Sequence, residues 1–444
     1  MTNTIACSRI VALSAMLVAV AGSAGAQSVG VYRGAVGGRE AALAGADNVL
    51  GTQPLDAVAW NPAGFAFFEV PDLDVGIAAL GARGTFTNRV DANGSLTDAR
   101  GVVPEGAFAM PLGGGSVVLG AGLIADGAIA GSWRYRDVPG AAGATYGMAV
   151  HRSGVLVLRP TVGLGARLGS RVAVGGSLSL LWNRNDLEAP YIFQTQAPLV
   201  GLKTLLDIHT TGSGWGTSLG AIVKPHRTVT AGVAWRSGTR LTTEGTATGD
   251  AWAQFAAVGV AADSTFAYDA AVQNQFPSMI AVGGRWEVTP GWRLTGQIER
   301  WGWQEAFAAL PITLTDGTNA VINSLVGGAR IDETVPLEWR DQIVRRVGAE
   351  YVWTPSFVLR GGYGYAPSSV PTTTLTPMTA AIVEHTFGFG LGVVQGKMRV
   401  DLGFQWSPTT ERDVPDTTLQ GSEYDATSIG VGAQGLVISV GRRF

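Results

Sequence analysis

The residue types that could carry chemistry are few in this sequence, and they are scattered. The four histidines, His151, His209, His226 and His385, fall at no spacing that would ligate a metal. His385 follows Glu384, but a hydrolase would also need a serine at matched depth on a neighbouring strand and a polar orienter. Adjoining charges at the edge of a loop are ordinarily solvated, so no catalytic residue, metal site or cofactor is expected. What remains is binding chemistry. Arg184, Arg293 and Arg360 are candidate anchors for a ligand carboxylate, whereas a hydrocarbon would need none. Two apolar stretches could hold such a ligand. One is "APYIFQTQAPLVG" in a connection over 185–205, with Tyr191, Ile192, Phe193 and Leu199. The other is "AWAQFAAVGVAA" in a connection over 242–275, where Trp252, Phe255, Ala256 and Gly259 recur at helical spacing. That face either packs on neighbouring loops or faces a ligand. Exposed apolar loops of this kind suit the capture of a hydrophobic molecule.

Those loops need a scaffold, and the start of the sequence bears on where it resides. Arg9 precedes a run from Ile10 to Ala21 that is apolar except for Ser14, and Ala24 and Ala26 then form an A-x-A cleavage site. This predicts a secretory signal peptide over 1–26, its apolar core too short to span a bilayer. Cys7, the only cysteine, would leave with it, so the exported chain would hold together without disulfides. A net charge of −3 argues against nucleic acid as a partner.

Strand patterns run along the rest of the chain. In "KMRVDLGFQW", Met398, Val400, Leu402, Phe404 and Trp406 occupy one face, and Lys397, Arg399, Asp401, Gly403 and Gln405 the other. "GWRLTGQIERW" sets Trp292, Leu294 and Ile298 against Arg293, Thr295, Gln297 and Glu299. Trp292, Trp301, Trp353 and Trp406 lie near strand ends, where a membrane aromatic girdle would sit. The uncharged window 106–125 is long enough for a membrane helix, but Pro111 and Gly113–Gly115 make it two strands around a turn. Fourteen strand segments result, from 70–87 to 428–444. Short turns such as "LGSR" and "VQGK" alternate strictly with long connections near 88–101, 135–154, 185–205, 242–275, 305–337, 367–381 and 408–427.

An even strand number with loops sorted in this way describes an all-β, transmembrane antiparallel β-barrel over residues 69–444, placed in the outer membrane of a Gram-negative-type bacterium. The barrel is expected to be monomeric and bathed in outer-membrane lipid. The last strand ends on Phe444, which resembles the C-terminal recognition signal read by the barrel assembly machinery.

Residues 27–68 precede the first strand and lack its alternation. A fourteen-strand barrel is wide enough to leave a lumen, so this segment is expected to fold back as an N-terminal hatch that plugs it. Asn61, Pro62 and Gly64 would form a rigid, aromatic-flanked turn, with Gly38 upstream.

The blocks "GREAALAGADN" and "AWNPAG" resemble the N-terminal signature of the FadL family of outer-membrane long-chain fatty acid transporters, which also includes aromatic hydrocarbon channels. The resemblance continues through "GTSLGAIVKPHRTVTAGVAWRSGTRLTTEGTAT", "WRDQIVRRVGAEYVWTPSFVLRGGYGYAPSSVP" and "LTPMTAAIVEHTFGFGLG". Between Asp47 and Trp60 the spacing is longer than the family's. Membership implies a fourteen-strand barrel, a lumenal hatch, and passive uptake of hydrophobic molecules such as long-chain fatty acids or hydrocarbons. It also implies capture by the outer loops and sideways release at a kinked third strand. The third strand, "SVVLGAGLIADGAIAGSWRY", is interrupted by Asp126-Gly127. A carboxylate facing lipid is costly and a strand glycine often marks a bulge, so a kink turning Asp126 inward and leaving a lateral opening is expected there.

The alternative is a general diffusion porin for small polar solutes. Lumenal Arg293, Glu299, Arg399 and Asp401 are compatible with it, but a plug and apolar outer loops are not what it requires.

Overall fold

The computed structural model describes residues 30–444; the expected signal peptide over 1–26 lies outside the described residues. Fourteen antiparallel strands close into a barrel. They are β1 (Asp72–Asn88), β2 (Asp91–Asp98 with Arg100–Leu112), β3 (Val117–Arg136), β4 (Met148–Leu168), β5 (Val172–Ile192) and β6 (Lys203–His226). β7 (Val229–Arg236 with Thr239–Asp250), β8 (Thr265–Phe276 with Met279–Thr289), β9 (Trp292–Trp301 with Ala309–Thr315) and β10 (Ile331–Pro336 with Gln342–Thr354) follow. β11 (Phe357–Tyr365), β12 (His385–Gln395), β13 (Met398–Val414) and β14 (Thr427–Arg443) complete the ring. β14 pairs with β1 from Asp72↔Arg443 to Thr87↔Ser428, so the sheet closes on itself.

The period-two pattern sorts the wall. Met398, Val400, Phe404 and Trp406 point outward and are exposed, while Asp401 and Gln405 are buried inside. Trp292, Trp353 and Trp406 are exposed on the outer face, but Trp301 is fully buried. Parity explains the difference. Trp301 shares its face with Arg293 and Glu299, so it turns into the lumen and not to a girdle.

The short joins hold at one end of the barrel, with Gly114, Gly115, Gly169 and Gly396 taking positive φ in the turns. The long connections are shorter than their sequences suggest. Residues 88–101 are mostly strand around a turn at Arg89–Val90, and Thr239–Asp250 pairs in full register with Thr265–Phe276. Such strands extend beyond the apolar band, where neither face needs to be hydrophobic, so "TRLTTEGTATGD" carries no readable alternation.

Residues 30–68 pack against the inner face of the wall. α1 (Gly38–Ala42) lies on β13, β12 and β14, and α2 (Pro54–Ala59) on β3, β2 and β1. The helical turn Pro62–Phe67 sits on β4, β5 and β6. Strand glycines make room for it. A Cβ on Gly403 or Gly175 would overlap the segment's backbone, and one on Gly38 would collide with the Asp401 carbonyl.

Candidate functional site

The Asn61–Gly64 turn is fixed from both sides. The Asn61 side chain accepts from Ala63 N at 3.0 Å and donates to the Val49 carbonyl at 2.6 Å and the Val233 carbonyl at 3.2 Å. Pro62 occupies the first helical position, where its missing N–H costs nothing. Gly64 lies against Gly51 so closely that any side chain would clash. Phe65, fully buried, fills the space left by Gly120 and Gly163 on β3 and β4. Burying such a ring is worth about 1.5–3 kcal/mol.

Ion pairs hold the rest of the segment. Arg39 pairs with Asp47 at 2.6 Å, Glu350 at 2.8 Å and the neighbouring Glu40; Arg285 also reaches Asp47. Arg360 lies 2.7 Å from both Glu350 and Asp401, and Gln53 donates to Asp401 at 2.8 Å. Glu40 and Asp56, both wholly buried, carry carboxyls raised by burial, Glu40 to about 7. Removing one partner of such a buried pair strands a charge.

At β3 the wall changes. β2 pairs with β3 from Gly106↔Leu123 to Leu112↔Val117, and again at Ser95↔Arg134 and Leu96↔Trp133. The β3 stretch 124–131 has no ladder partner from β2 between these blocks. Opposite, on the β4 side, a bulge falls between Ala125 and Gly127. The N-terminal segment occupies the gap. Tyr32 bridges to Gly127, and Arg33 N donates to the Asp126 carbonyl at 3.0 Å. An added Cβ on Gly127 would lie 2.7 Å from the Val31 carbonyl, so only glycine permits this approach. Arg33 also reaches the other edge, with Nη1 at 2.7 Å from Glu105 Oε2 on β2, while Gly37 N donates to Glu105 Oε1 at 2.7 Å.

The bulge turns the Asp126 side chain inward, where it is 5% exposed. Arg159 of β4 and Arg236 of β7 each approach it at 3.0 Å. Both guanidiniums also donate to the Ala59 carbonyl, at 2.7 and 2.6 Å. Asp126 therefore orients two cations that grip the segment just before Trp60. Neither arginine stood out in the sequence; the only clue was an inward arginine in "LVLRPT" and in "AWRSG".

Above this floor lies a cavity of about 290 Å³. Its wall includes Val31 below, Leu96, Gly131 and Trp133 beside the β3 gap, and Phe276, Phe307 and Trp339 across the lumen. Tyr32, Trp301, Trp60 and Trp303 pack beneath it, Tyr32 and Trp301 with ring centres 5.2 Å apart. The apolar wall runs from the outer loops to the gap.

The two apolar loops divide between this cavity and a second. Tyr191 and Ile192, at the end of β5, line the large cavity; Phe193 and Leu199 line a small one of about 40 Å³ with Phe255. The helix α3 (Trp252–Val258) does not present the expected face. Ala253, Gln254 and Phe255 are buried, whereas Ala256 and Gly259 are exposed and Trp252 is 50% exposed against Tyr146. Gln254 explains the rotation, because it turns inward to accept from Lys203 N at 3.0 Å.

None of the three candidate anchors lines either cavity. Arg184 is exposed and bonded to Asp186 at 2.9 Å. Arg293 stands near the short-turn end, 3.6 Å from Glu287. Arg360 is inside but consumed by Glu350 and Asp401. Strand parity gave each a face, but not its partners or its depth.

A family model described as outer membrane protein transport protein (OMPP1/FadL/TodX) matches residues 15–444. Among solved structures, a Pseudomonas aeruginosa FadL homologue is similar at a TM-score of 0.74 and 14% identity, covering 94% of this chain and 100% of that one. The Ralstonia pickettii toluene transporter TbuX reaches a TM-score of 0.73 and 19% identity over 93% of this chain and 99% of its own. At these identities the likeness is one of fold. Alkane uptake protein A of Marinobacter nauticus is 28% identical over 162 residues, which is 35% of this chain and a third (33%) of that relative.

Proposed function

The chain belongs to the OMPP1/FadL/TodX family of outer-membrane transport proteins, and we propose that it carries hydrophobic molecules passively across the outer membrane through its lumenal cavity. The observation that carries this reading is the apolar cavity that opens toward the outer loops and is floored by Val31, next to the residue paired into β3. A hydrophobic molecule gains about 25 cal/mol for each Å² of apolar surface it removes from water there. It needs no pump, because the lipid beyond is as apolar as the site.

The proposed route starts at the outer loops, where Tyr191, Ile192 and Phe193 supply apolar surface. It passes to the cavity and leaves sideways between β2 and β3 when residues 31–37 of the hatch withdraw. The gap in the β2–β3 ladder and its filling by a separate segment support that exit. A general diffusion porin would need an open lumen, and the buried residues 30–68 speak against one. The toluene transporter TbuX and Alkane uptake protein A, to which the chain is similar, are uptake proteins, which agrees with a non-enzymatic role.

The test is uptake of a radiolabelled hydrocarbon and a radiolabelled fatty acid by cells lacking other routes, with and without this chain. Saturable uptake of either supports the proposal. Passage of small sugars with no uptake of hydrophobic probes would favour the porin.

A further inference from the structure

We infer that the cavity accepts uncharged hydrocarbons and rejects carboxylates, so that its charge, as well as its shape, sets the substrate class. This inference rests on the uptake proposed above. Among the described residues, no arginine, lysine or histidine lines the cavity. The charged residues along it are Asp186 and Glu423, both acidic. The Asp186 carboxylate is taken by Arg184 and by His209 Nδ1 at 2.6 Å. Glu423 lies 3.0 Å from Lys203 Nζ, an ammonium close behind the wall.

That ammonium is already saturated. Lys203 has three N–H donors, and they meet Glu423 at 3.0 Å, Asp137 at 3.0 Å and the Val138 carbonyl at 2.6 Å. It faces two carboxylates, so the cluster offers a third one repulsion. Deeper down, Arg159 and Arg236 are bound to Asp126 and the Ala59 carbonyl, and rings of Tyr32, Trp60 and Trp301 lie 5.6–5.7 Å from the Arg236 guanidinium. Neither guanidinium reaches the cavity surface.

Several polar side chains on the wall are engaged as well, although the Trp339 indole N–H has no partner. Asn185 donates to Asn274 at 3.0 Å and to Thr243 at 3.1 Å, and Tyr191 donates to Glu333 at 2.8 Å. An ionised head group would lose its hydration and gain no cation, only the neutral Trp339 N–H, which makes binding unfavourable. An uncharged molecule meets no such penalty. The aromatic wall of Trp133, Phe276, Phe307 and Trp339 suits ring edges and faces. A volume of about 290 Å³ is roughly twice the ~150 Å³ of an apolar cavity that takes benzene, room for one or two rings.

The experiment measures equilibrium binding of naphthalene and of decanoate to the purified full chain at about pH 8, where a carboxylic acid is ionised. Naphthalene should bind, and decanoate should bind at least about tenfold more weakly. A second arm uses Met378→Arg, which places a cation on the cavity wall from a loop and leaves the barrel untouched, as heat-resistant migration would verify. It should raise decanoate affinity by about tenfold or more. Equal binding of decanoate and naphthalene to the unmodified protein would overturn the selectivity and leave the uptake proposal standing. No gain of decanoate binding by the folded variant would also overturn it. If neither probe binds the unmodified protein, the uptake proposal falls and the selectivity falls with it.

Discussion

Tyr32, from the segment before the barrel, forms a backbone bridge with Gly127 in the third strand, at the place where that strand has no partner from its other neighbour. The wall is thus completed there by a piece of chain that does not belong to it. Arg33 extends the repair across the gap by pairing with Glu105 of β2.

This arrangement predicts a weak point. Arg33→Ala leaves Glu105 buried beside an uncompensated gap, at a local cost of about 3–5 kcal/mol. Amide hydrogen exchange over residues 31–37 should accelerate while that of β12–β14 stays unchanged. Equal protection in the variant and the parent would mean that the segment is held by other contacts.

Asp126→Asn should act from the same place but on the other strand of contacts. It removes the carboxylate shared by Arg159 and Arg236, leaving two guanidiniums around the Ala59 carbonyl. Exchange should then rise at residues 59–64 as well as at 31–33. A rise confined to 31–33 would assign the grip on Ala59 to the arginines alone.

The proposed blocking of the lumen by residues 30–68 can be measured electrically. Deleting residues 27–60 removes α1, α2 and their ion pairs, and single-channel conductance in planar bilayers should rise from near zero to that of a wide pore. An unchanged, already open conductance would defeat the plug and favour the porin.

The outer loops give a split prediction. Phe255 is buried at the small cavity and Trp252 is exposed, so Phe255→Ser should weaken hydrophobic-ligand binding by up to about 1.5–3 kcal/mol and Trp252→Ser should barely change it. Equal effects of both would restore the single apolar face that the spacing suggested.

Proton linkage follows from Glu40. Burial raises its carboxyl from 4.5 to about 7, against Arg39, with Asp47, Glu350 and Arg285 also facing it. The seated hatch therefore binds this proton more tightly than an unseated one. The contribution of Glu40 to seating is full below 4.5 and is lost as pH rises from 4.5 through about 7. Exchange at residues 38–47 should increase through that window, and Glu40→Gln should flatten the increase. A pH-independent profile in the unmodified protein would contradict the linkage.

Much of the wall was legible because lipid outside and polar lumen inside impose period two wherever a strand crosses the apolar band. Met398 to Trp406 carries both faces, and the same parity, applied strictly, puts Trp301 inside. The outer reaches of β7 and β8 were not legible, since residues such as Thr242 and Thr246 lie where neither face meets lipid. The lumenal partners were hidden for another reason. Arg159, Arg236 and Asp126 come together from three strands around a carbonyl of the hatch, and no local spacing records a meeting of that kind. The same holds for Arg360, whose charge reads as free until Glu350 and Asp401 are set beside it.

The central claim is that hydrophobic molecules leave through the gap that residues 31–37 fill. The most direct test places cysteines by Arg33→Cys and Glu105→Cys and joins them with a short bifunctional thiol reagent, in a chain whose only native cysteine is Cys7. Hydrocarbon uptake is then compared between the joined and unjoined double variant, with ligand binding measured alongside. Joining should abolish uptake and leave binding intact. Undiminished uptake by protein verified as joined would contradict that claim and send the ligand straight down the lumen.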